Sequence, residues 1–341
     1  MTYQVTLKPS GNNFNTQPEE HILDGALREG ISLPYGCRNG TCQSCRAEIL
    51  SGTVDYPHGK PAAIATGPNT RSNWCLLCKA IPTSDVVVNI QELPIGAFGT
   101  IRTIPCRVTK RSLAAEDVMI LNLRLPKGEI FNYESGQYLD IVLRDGRRRS
   151  FSIANAPDSS NELTLHIRRV PDGQFSNHVF AHLKDKALLR IRGPLGSFYL
   201  RESQRPLLFI AGGTGLAPIK AIIESCIEQN RFMYLYWGVR AVKDLYLTKI
   251  IKQWCASNPD FHYIPVLSQP DGDPWAGKIG LIHNAVLDDF EDLSKFDVYS
   301  SGPPVMIDAA WRTFETRGLK PEHHFSDAFE FAHETGADEI I

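Results

Sequence analysis

Residues 34–45 read Pro34-Tyr35-Gly36-Cys37-Arg38-Asn39-Gly40-Thr41-Cys42-Gln43-Ser44-Cys45, a C-x4-C-x2-C spacing. A further cysteine follows in Leu76-Leu77-Cys78-Lys79-Ala80-Ile81-Pro82. This is the spacing of a plant-type [2Fe–2S] centre, in which four thiolates surround two irons. Three of the four must come from one tight loop. Gly36, Gly40, Thr41 and Ser44 are small, so backbone N–H groups can approach the sulfides and tune the potential. The expected metal ligands are Cys37, Cys42, Cys45 and Cys78. Cys75 competes for the fourth position, since Cys75 and Cys78 form a second C-x2-C. Cys78 is favoured because its segment leads directly into the last strand of this region. A four-thiolate zinc site from Cys42, Cys45, Cys75 and Cys78 is the rival reading. It leaves Cys37 and its loop unexplained. Cys106, Cys226 and Cys255 stand singly and read as buried structural thiols.

Outward from this loop, the chain divides by pattern. Tyr3-Gln4-Val5-Thr6-Leu7 alternates like a strand, and Pro9-Ser10-Gly11-Asn12-Asn13 is turn-forming. Ile22 to Leu27 is helix-like, Ala47 to Leu50 strand-like, and Asp85 to Ile90 rich in β-branched residues. These make a small β-rich cysteine domain over residues 1–92. Residues 93–102 carry Pro and Gly without a period and read as a linker. From 103 to 202, short β-rich runs alternate with turns, which predicts an antiparallel β-barrel. From 203 to 330, continuous apolar runs alternate with helical stretches. Leu207–Ala211, Phe232–Trp237, Tyr263–Leu267 and Asp297–Ser300 are the expected buried parallel strands, with a helix over Ile219–Gln229. Residues 331–341 read as a mobile acidic tail. The fold class is therefore multidomain α+β and α/β.

Length agrees, since 341 residues predict two to three domains at roughly 150 residues each. Lys+Arg number 36 against 38 Asp+Glu, a formal charge of -2. That balance argues against nucleic acid as a partner, which needs a basic excess. Met1-Thr2-Tyr3-Gln4 shows no basic segment followed by an apolar one, so no secretory signal is expected. The longest apolar stretch, Leu207 to Ile223, is broken by glycines, Pro218 and Lys220, so no membrane span is expected. Cysteines clustered between Cys37 and Cys78 point to metal or redox chemistry in a reducing cytoplasm.

Two further segments look shaped for nucleotides. In Arg147-Arg148-Arg149-Ser150-Phe151-Ser152, an arginine at a barrel rim can clamp a pyrophosphate, and an aromatic can stack on a flat ring. Gly173-Gln174-Phe175-Ser176 supplies N–H groups and a hydroxyl for a phosphate. Alone, this could be a basic hairpin. The second is Phe209-Ile210-Ala211-Gly212-Gly213-Thr214-Gly215-Leu216-Ala217-Pro218, joining a strand to a helix. Its glycines let the backbone approach an anion, and the helix N-terminus favours the charge. It is not a full G-x-G-x-x-G. A plain strand-to-helix turn remains the alternative. Ser300-Ser301-Gly302-Pro303-Pro304 closes the fourth strand on the same sheet edge.

Three modules in this order resemble the ferredoxin–NAD(P)⁺ reductase superfamily in its form with an N-terminal plant-type ferredoxin domain. The matching segments are R-x-F-S (149–152), G-x-x-S (173–176), A-G-G-T-G-x-A-P (211–218) and S-G-P-P (301–304). The resemblance runs end to end, through Gly136 to Asp140, Arg149 to Pro157, Tyr236 to Gly238 and Phe325 to Phe329. It is strongest toward the branch that serves dideoxysugar biosynthesis. Reductase components of aromatic-ring and methane oxygenases look similar too. The resemblance implies a β-grasp [2Fe–2S] ferredoxin domain, an antiparallel FAD-binding β-barrel and a parallel-sheet α/β NAD(P)-binding domain.

The resemblance also implies roles. Arg149 matches the FAD pyrophosphate arginine, and Phe151 stands where the family usually has Tyr against the isoalloxazine. Ser152 matches a hydroxyl near flavin N5. Gly173, Gln174 and Ser176 match the FAD phosphate loop. Gly212, Gly213, Thr214, Gly215 and Pro218 match the dinucleotide turn, with Gly302 and Pro303 facing it. Ser301 stands where many relatives carry Cys beside the nicotinamide. Phe329 or Phe325 stands where an aromatic covers the flavin, and core packing is the equal alternative. Ser152, Ser301 and Phe329 are thus the candidate catalytic residues. His166 reads as a strand residue or an FAD-contact backbone position.

Nicotinamide gives two electrons as hydride, an iron–sulfur cluster takes one at a time, and flavin does both. The implied order is NADH to FAD to [2Fe–2S] to an acceptor protein. A pyridoxamine-phosphate-dependent dehydrase is the first candidate acceptor, and an oxygenase component the second. Arg240, Lys243 and Asp244 bear on nucleotide choice, and the resemblance leans to NADH over NADPH. Residues 1–90 hold seven Asp/Glu and seven Lys/Arg, so charge gives no hint of the acceptor's surface.

Overall fold

A computed structural model of the chain describes residues 2–61, 64, 73–93, 100–158, 160–229, 231–272 and 274–329. The expected linker lies partly outside the described residues, and the expected tail wholly so. The chain forms two compact units. The first is residues 1–97 together with Ser326–Ala328, and the second is the remainder.

The first unit contains β1 (Gln4–Lys8), β2 (Asn13–Asn15), α1 (Ile22–Arg28), β3 (Arg46–Ser51), β4 (Val54–Asp55), β5 (Trp74–Leu76), β6 (Ile81–Pro82) and β7 (Val86–Asn89). Its five-stranded sheet runs β2-β1-β7-β3-β5, with β1 and β7 parallel and the other pairs antiparallel. Val5 and Leu7 alternate inward on β1, as Val86 and Val88 do on β7. They meet Ile22, Leu23 and Ala26 of α1 in one buried cluster. A mixed sheet gripping one helix is the expected β-grasp arrangement.

The second unit opens with β8 (Arg102–Ala115), β9 (Val118–Arg124), β10 (Tyr138–Val142), β11 (Arg148–Ser152), β12 (Glu162–Arg168), α2 (Gln174–Ala181) and β13 (Leu188–Leu195). The order is β11-β10-β13-β8-β9-β12, antiparallel throughout. A bridge between Ile153 and Leu165 brings the two edge strands together, so the sheet curls into a barrel. Leu121, Leu123, Leu165, Ile167 and Ile191 fill its inside.

The chain continues through β14 (Leu207–Gly212), α3 (Leu216–Cys226), β15 (Met233–Val239), α4 (Thr248–Ser257), β16 (Phe261–Leu267), β17 (Lys278–Ile279), α5 (Ile282–Asp289), β18 (Asp297–Gly302), α6 (Pro304–Glu315) and β19 (His324–Ala328), the last three residues of which are counted with the first unit. The strand order is β17-β16-β15-β14-β18-β19, and β14 runs parallel to both β15 and β18. Leu207 to Ala211 are all fully buried, as a doubly covered central strand requires. The chain proceeds from β14 to β15 on one side and reaches β18 on the other. That reversal opens a crevice at the strand ends between β14 and β18. The helix expected from Ile219 starts at Leu216, because Pro218 is its third residue and so costs no internal hydrogen bond. No helix of the described residues is long and apolar enough to cross a membrane.

Candidate functional site

In the first unit, residues 36–45 form a loop whose backbone inverts repeatedly. Arg38 and Gln43 have φ of 58° and 61°, and Gly40 has 93°. Two non-glycine inversions in one loop are uncommon and cost of order 1 kcal/mol each. The inversions turn amide groups toward the sulfurs. The Cys42 N–H donates to Cys37 Sγ at 3.3 Å, and the Cys37 N–H to Cys42 Sγ at 3.4 Å. The Thr41 hydroxyl donates to Cys37 Sγ at 3.5 Å.

The four expected thiols fall into two facing pairs. Cys37 faces Cys42, and the Cys42 thiol with its neighbouring donors holds Cys37 down to about 5. Cys42 is pushed well up by Cys37 and by burial, and Cys45 is pushed well up by Cys78 and by burial. Cys45 also feels Cys42, so the two pairs adjoin. Two adjoining pairs suit two irons. Cys75 sits elsewhere. It is paired with Ala47 across the sheet, fully buried, and burial pushes it up to about 12.

Ser326–Ala328 complete this unit. The Ser44 hydroxyl donates to the Ser326 carbonyl at 2.7 Å, and the Ser326 hydroxyl to the Cys42 carbonyl at 2.6 Å. Asp327 Oδ1 lies 3.1 Å from where a Cβ on Gly36 would stand. Burial, with Cys37 nearby, raises the Asp327 carboxyl well above its usual range.

In the second unit, β11 carries Arg149, Phe151 and Ser152 opposite Ile141, Leu139 and Tyr138 of β10. The start of α2 lies against it. Arg147 donates to Gln174 Oε1 at 3.2 Å, and the Phe151 and Phe175 rings meet at 5.5 Å and 44°. Ser176 takes the Val170 N–H at 3.1 Å and donates to the Gly173 carbonyl at 3.0 Å. A Cβ on Gly173 would stand 2.7 Å from Ser176 Oγ. Both expected FAD segments are thus brought together. Ser152 Oγ is buried without a hydrogen-bond partner among the described residues. A lone buried hydroxyl awaits a polar group, which fits a bound flavin.

The glycine turn occupies the crevice. Gly213–Gly215 form one short 3₁₀ turn between β14 and α3. Ala211 lies opposite Ser301 in register, and Gly212 packs under Pro303 and Met306. The Ser301 hydroxyl is buried and partnerless among the described residues. The Phe329 N–H donates to the Gly302 carbonyl at 3.0 Å, so Phe329 flanks the same turn. Arg240 is exposed just past β15, and its carbonyl accepts the Gln269 N–H at 2.9 Å. Asp244 is tied back to the Ala241 N–H at 3.0 Å, and Lys243 lies 3.7 Å from Glu116. Phe325 stacks on Tyr299 at 4.9 Å and belongs to the core.

Sequence reading missed three groups here. Arg168 Nη1 stands 2.6 Å from a Gly213 Cβ position, and its Nε pairs with Asp117 at 2.9 Å. Trp237 donates from Nε1 to the Gly213 carbonyl at 2.9 Å. Lys220 Nζ donates to the Ala154 carbonyl at 2.8 Å and to Glu224 at 2.6 Å. Only the adjacency of Arg168 and Arg169 to the barrel motif hinted at the first.

Comparison with known proteins agrees with this layout. Residues 5–83 match the 2Fe-2S iron-sulfur cluster binding domain, 105–199 the oxidoreductase FAD-binding domain, and 209–312 the oxidoreductase NAD-binding domain. The chain belongs to the ferredoxin–NAD(P)⁺ reductase superfamily, in its form with an N-terminal [2Fe–2S] domain. It is an NAD(P)H-dependent FAD/[2Fe–2S] oxidoreductase that transfers electrons. It is 40% identical to CDP-6-deoxy-L-threo-D-glycero-4-hexulose-3-dehydrase reductase of Yersinia pseudotuberculosis, over 96% of this chain and 99% of that one. It is 34% identical to reductase component 1 of a Comamonas terephthalate 1,2-dioxygenase, over 96% and 98%. The crystal structure of the Amycolatopsis cytochrome P450 reductase GcoB superposes with a TM-score of 0.74 at 30% identity, covering 96% and 98%.

Proposed function

We propose that this chain draws electrons from NADH and delivers them to a pyridoxamine-phosphate-dependent dehydrase during C-3 deoxygenation of a CDP-4-keto-6-deoxyhexose. The observation that carries the reading is the 40% identity to a dehydrase reductase across nearly the whole of both chains. The function is that of a CDP-6-deoxy-Δ3,4-glucoseen reductase. When bound, FAD would supply the conversion from a two-electron hydride to single electrons, and a [2Fe–2S] cluster the one-electron outlet.

The chain's own residues supply binding and positioning. Cys37 and Cys42 would hold one iron, and Cys45 and Cys78 the other. Arg149 and the N–H groups at Gly173 to Ser176 would hold the FAD phosphates. Phe151 would pack against the flavin ring, and the buried, partnerless Ser152 hydroxyl would hydrogen-bond to it. Gly212 to Gly215 bring backbone N–H groups to the nicotinamide dinucleotide, with Gly302 and Pro303 forming the opposite wall. Ser301 and Phe329 border the place where nicotinamide meets flavin. Asp244, three residues past Arg240's neighbour Ala241, opposes a 2′-phosphate and favours NADH over NADPH. The three domains span 1–92, 103–202 and 203–330, and the protein works in the cytoplasm.

The test is anaerobic turnover with NADH, the glucoseen-forming dehydrase and its CDP-4-keto-6-deoxyhexose substrate. A 3,6-dideoxy product that needs both proteins supports the reading. Bleaching of flavin and cluster by NADH without product rejects the sugar assignment. A second reading, reductase component of an oxygenase, is favoured in that case by the 34% relative and by the P450 reductase superposition.

A further inference from the structure

Strand β12 reaches the glycine turn by two routes. Ile167 is fully buried in the barrel, so His166 and Arg168 share the opposite face of the strand. Arg168 stands directly against Gly213. His166 takes the longer path. Its Nδ1 lies 3.0 Å from the Tyr246 hydroxyl. The Tyr246 ring meets the Trp237 indole edge-on, with centroids 5.2 Å apart at 84°. Trp237 Nε1 then donates to the Gly213 carbonyl at 2.9 Å. Trp237 is fully buried and His166 nearly so.

The last bond has a directional consequence. In a trans peptide the C=O and the N–H of the same unit point opposite ways. The indole pins the Gly213 carbonyl on one side, so the Thr214 N–H is presented on the other. Gly213 has a φ of 55° and no side chain to set this peptide plane itself. The Leu216 N–H of the 3₁₀ turn reaches the same carbonyl, and the buried indole N–H adds a second, side-chain bond that fixes the plane from the side of β15.

We propose that His166, Tyr246 and Trp237 are positioning residues for the dinucleotide: they lock the Gly213–Thr214 peptide so that the Thr214 N–H faces a phosphate. None of the three touches the reacting atoms. Burial keeps His166 neutral at physiological pH, so the His166–Tyr246 contact is a hydrogen bond rather than an ion pair. This inference rests on the reading of Gly212–Gly215 as the dinucleotide turn.

The test is stopped-flow reduction of the FAD-loaded, cluster-loaded protein by NADH under anaerobic conditions. Tyr246→Phe keeps the ring against Trp237 and deletes only the hydroxyl. Its apparent Kd for NADH rises about 3- to 10-fold, the range for one buried hydrogen bond. The limiting reduction rate stays within about twofold, since the step itself is untouched. Trp237→Phe moves Kd further, and His166→Gln, which keeps a neutral donor and acceptor, moves it less than His166→Ala. Tyr246→Phe that loses FAD or unfolds earlier, with Kd per flavin unchanged, marks a purely structural contact and overturns the proposal. Thr214→Asp separates the two readings, because a carboxylate in the turn repels phosphate. If it weakens NADH binding tenfold or more while Tyr246→Phe does nothing, the relay alone fails. If Thr214→Asp leaves binding unchanged, the turn is not the dinucleotide site and both fail.

Discussion

A Cβ on Gly215 would stand 2.1 Å from the carbonyl oxygen of Ser301. The backbone angle at Gly215 is φ −57°, open to any residue. Glycine is required there by its neighbour, not by its conformation. The close approach lets β18 and the turn share one crevice. Gly215→Ala must push two backbones apart, which costs about 2–3 kcal/mol or more. We expect that loss in denaturant unfolding, together with weakened NADH-driven flavin reduction. Gly11→Ala is the control. Its φ is 83° with open space around it, so strain alone acts, about 1 kcal/mol. Equal costs at the two positions would refute the packing argument.

Cys75 and Cys78 separate the cluster from its scaffold. Cys45 and Cys78 face each other, whereas Cys75 is locked opposite Ala47 in the sheet. Cys78→Ser therefore removes most of the cluster's visible absorbance and acid-labile sulfide. Cys75→Ser keeps both and costs about 1–3 kcal/mol, for burying a hydroxyl where a thiol packed. Iron and sulfide per chain decide it. A Cys75→Ser protein without cluster would move the fourth ligand.

Much of this was legible because it is local. The alternation of Val5 and Leu7, the run Leu207–Ala211 and the cysteine spacing each carry their own period, and the strands form where those periods lie. Strand and helix ends shifted by a few residues, since capping and Pro218 tolerance decide them rather than hydrophobicity. What stayed hidden is contact between residues far apart in sequence. Ser326 meets Cys42 across 284 positions, and His166 meets Tyr246 across 80. No window of sequence holds both partners. Trp237 read as a core residue of a strand, and it is one; its N–H on Gly213 emerges only when β14 and β15 lie side by side.

Ser152 offers a test that reverses sign with cofactor. Its hydroxyl is buried and partnerless among the described residues. In the FAD-free protein, Ser152→Ala removes an unsatisfied polar group and stabilises by about 1 kcal/mol. In the FAD-loaded protein the same change deletes a flavin contact. Flavin reduction then slows, by about 10-fold or more, and the gain in stability disappears. Melting curves with and without FAD measure the first effect, and stopped-flow absorbance the second. A Ser152→Ala protein that is less stable in both states would show the hydroxyl to be satisfied within the protein.

Two buried histidines make the second unit sensitive to acid. His166 and His324 are 6% and 4% exposed, and burial pushes both down to about 3. In the unfolded chain each titrates near 6.5. As pH falls below about 6.5 the unfolded chain takes up protons that the folded chain refuses until about pH 3. Their contribution is therefore complete above 6.5 and lost as pH falls from 6.5 toward 3. Between pH 8 and pH 5 the loss is about 2 kcal/mol per histidine. His324 can be tested separately, because its Nε2 contacts Ser300 Oγ at 2.9 Å and a glutamine can replace that bond. His324→Gln should flatten the fall in unfolding free energy by about one proton's slope relative to the parent. Parallel pH profiles for parent and variant would show that His324 already carries a proton in the folded protein.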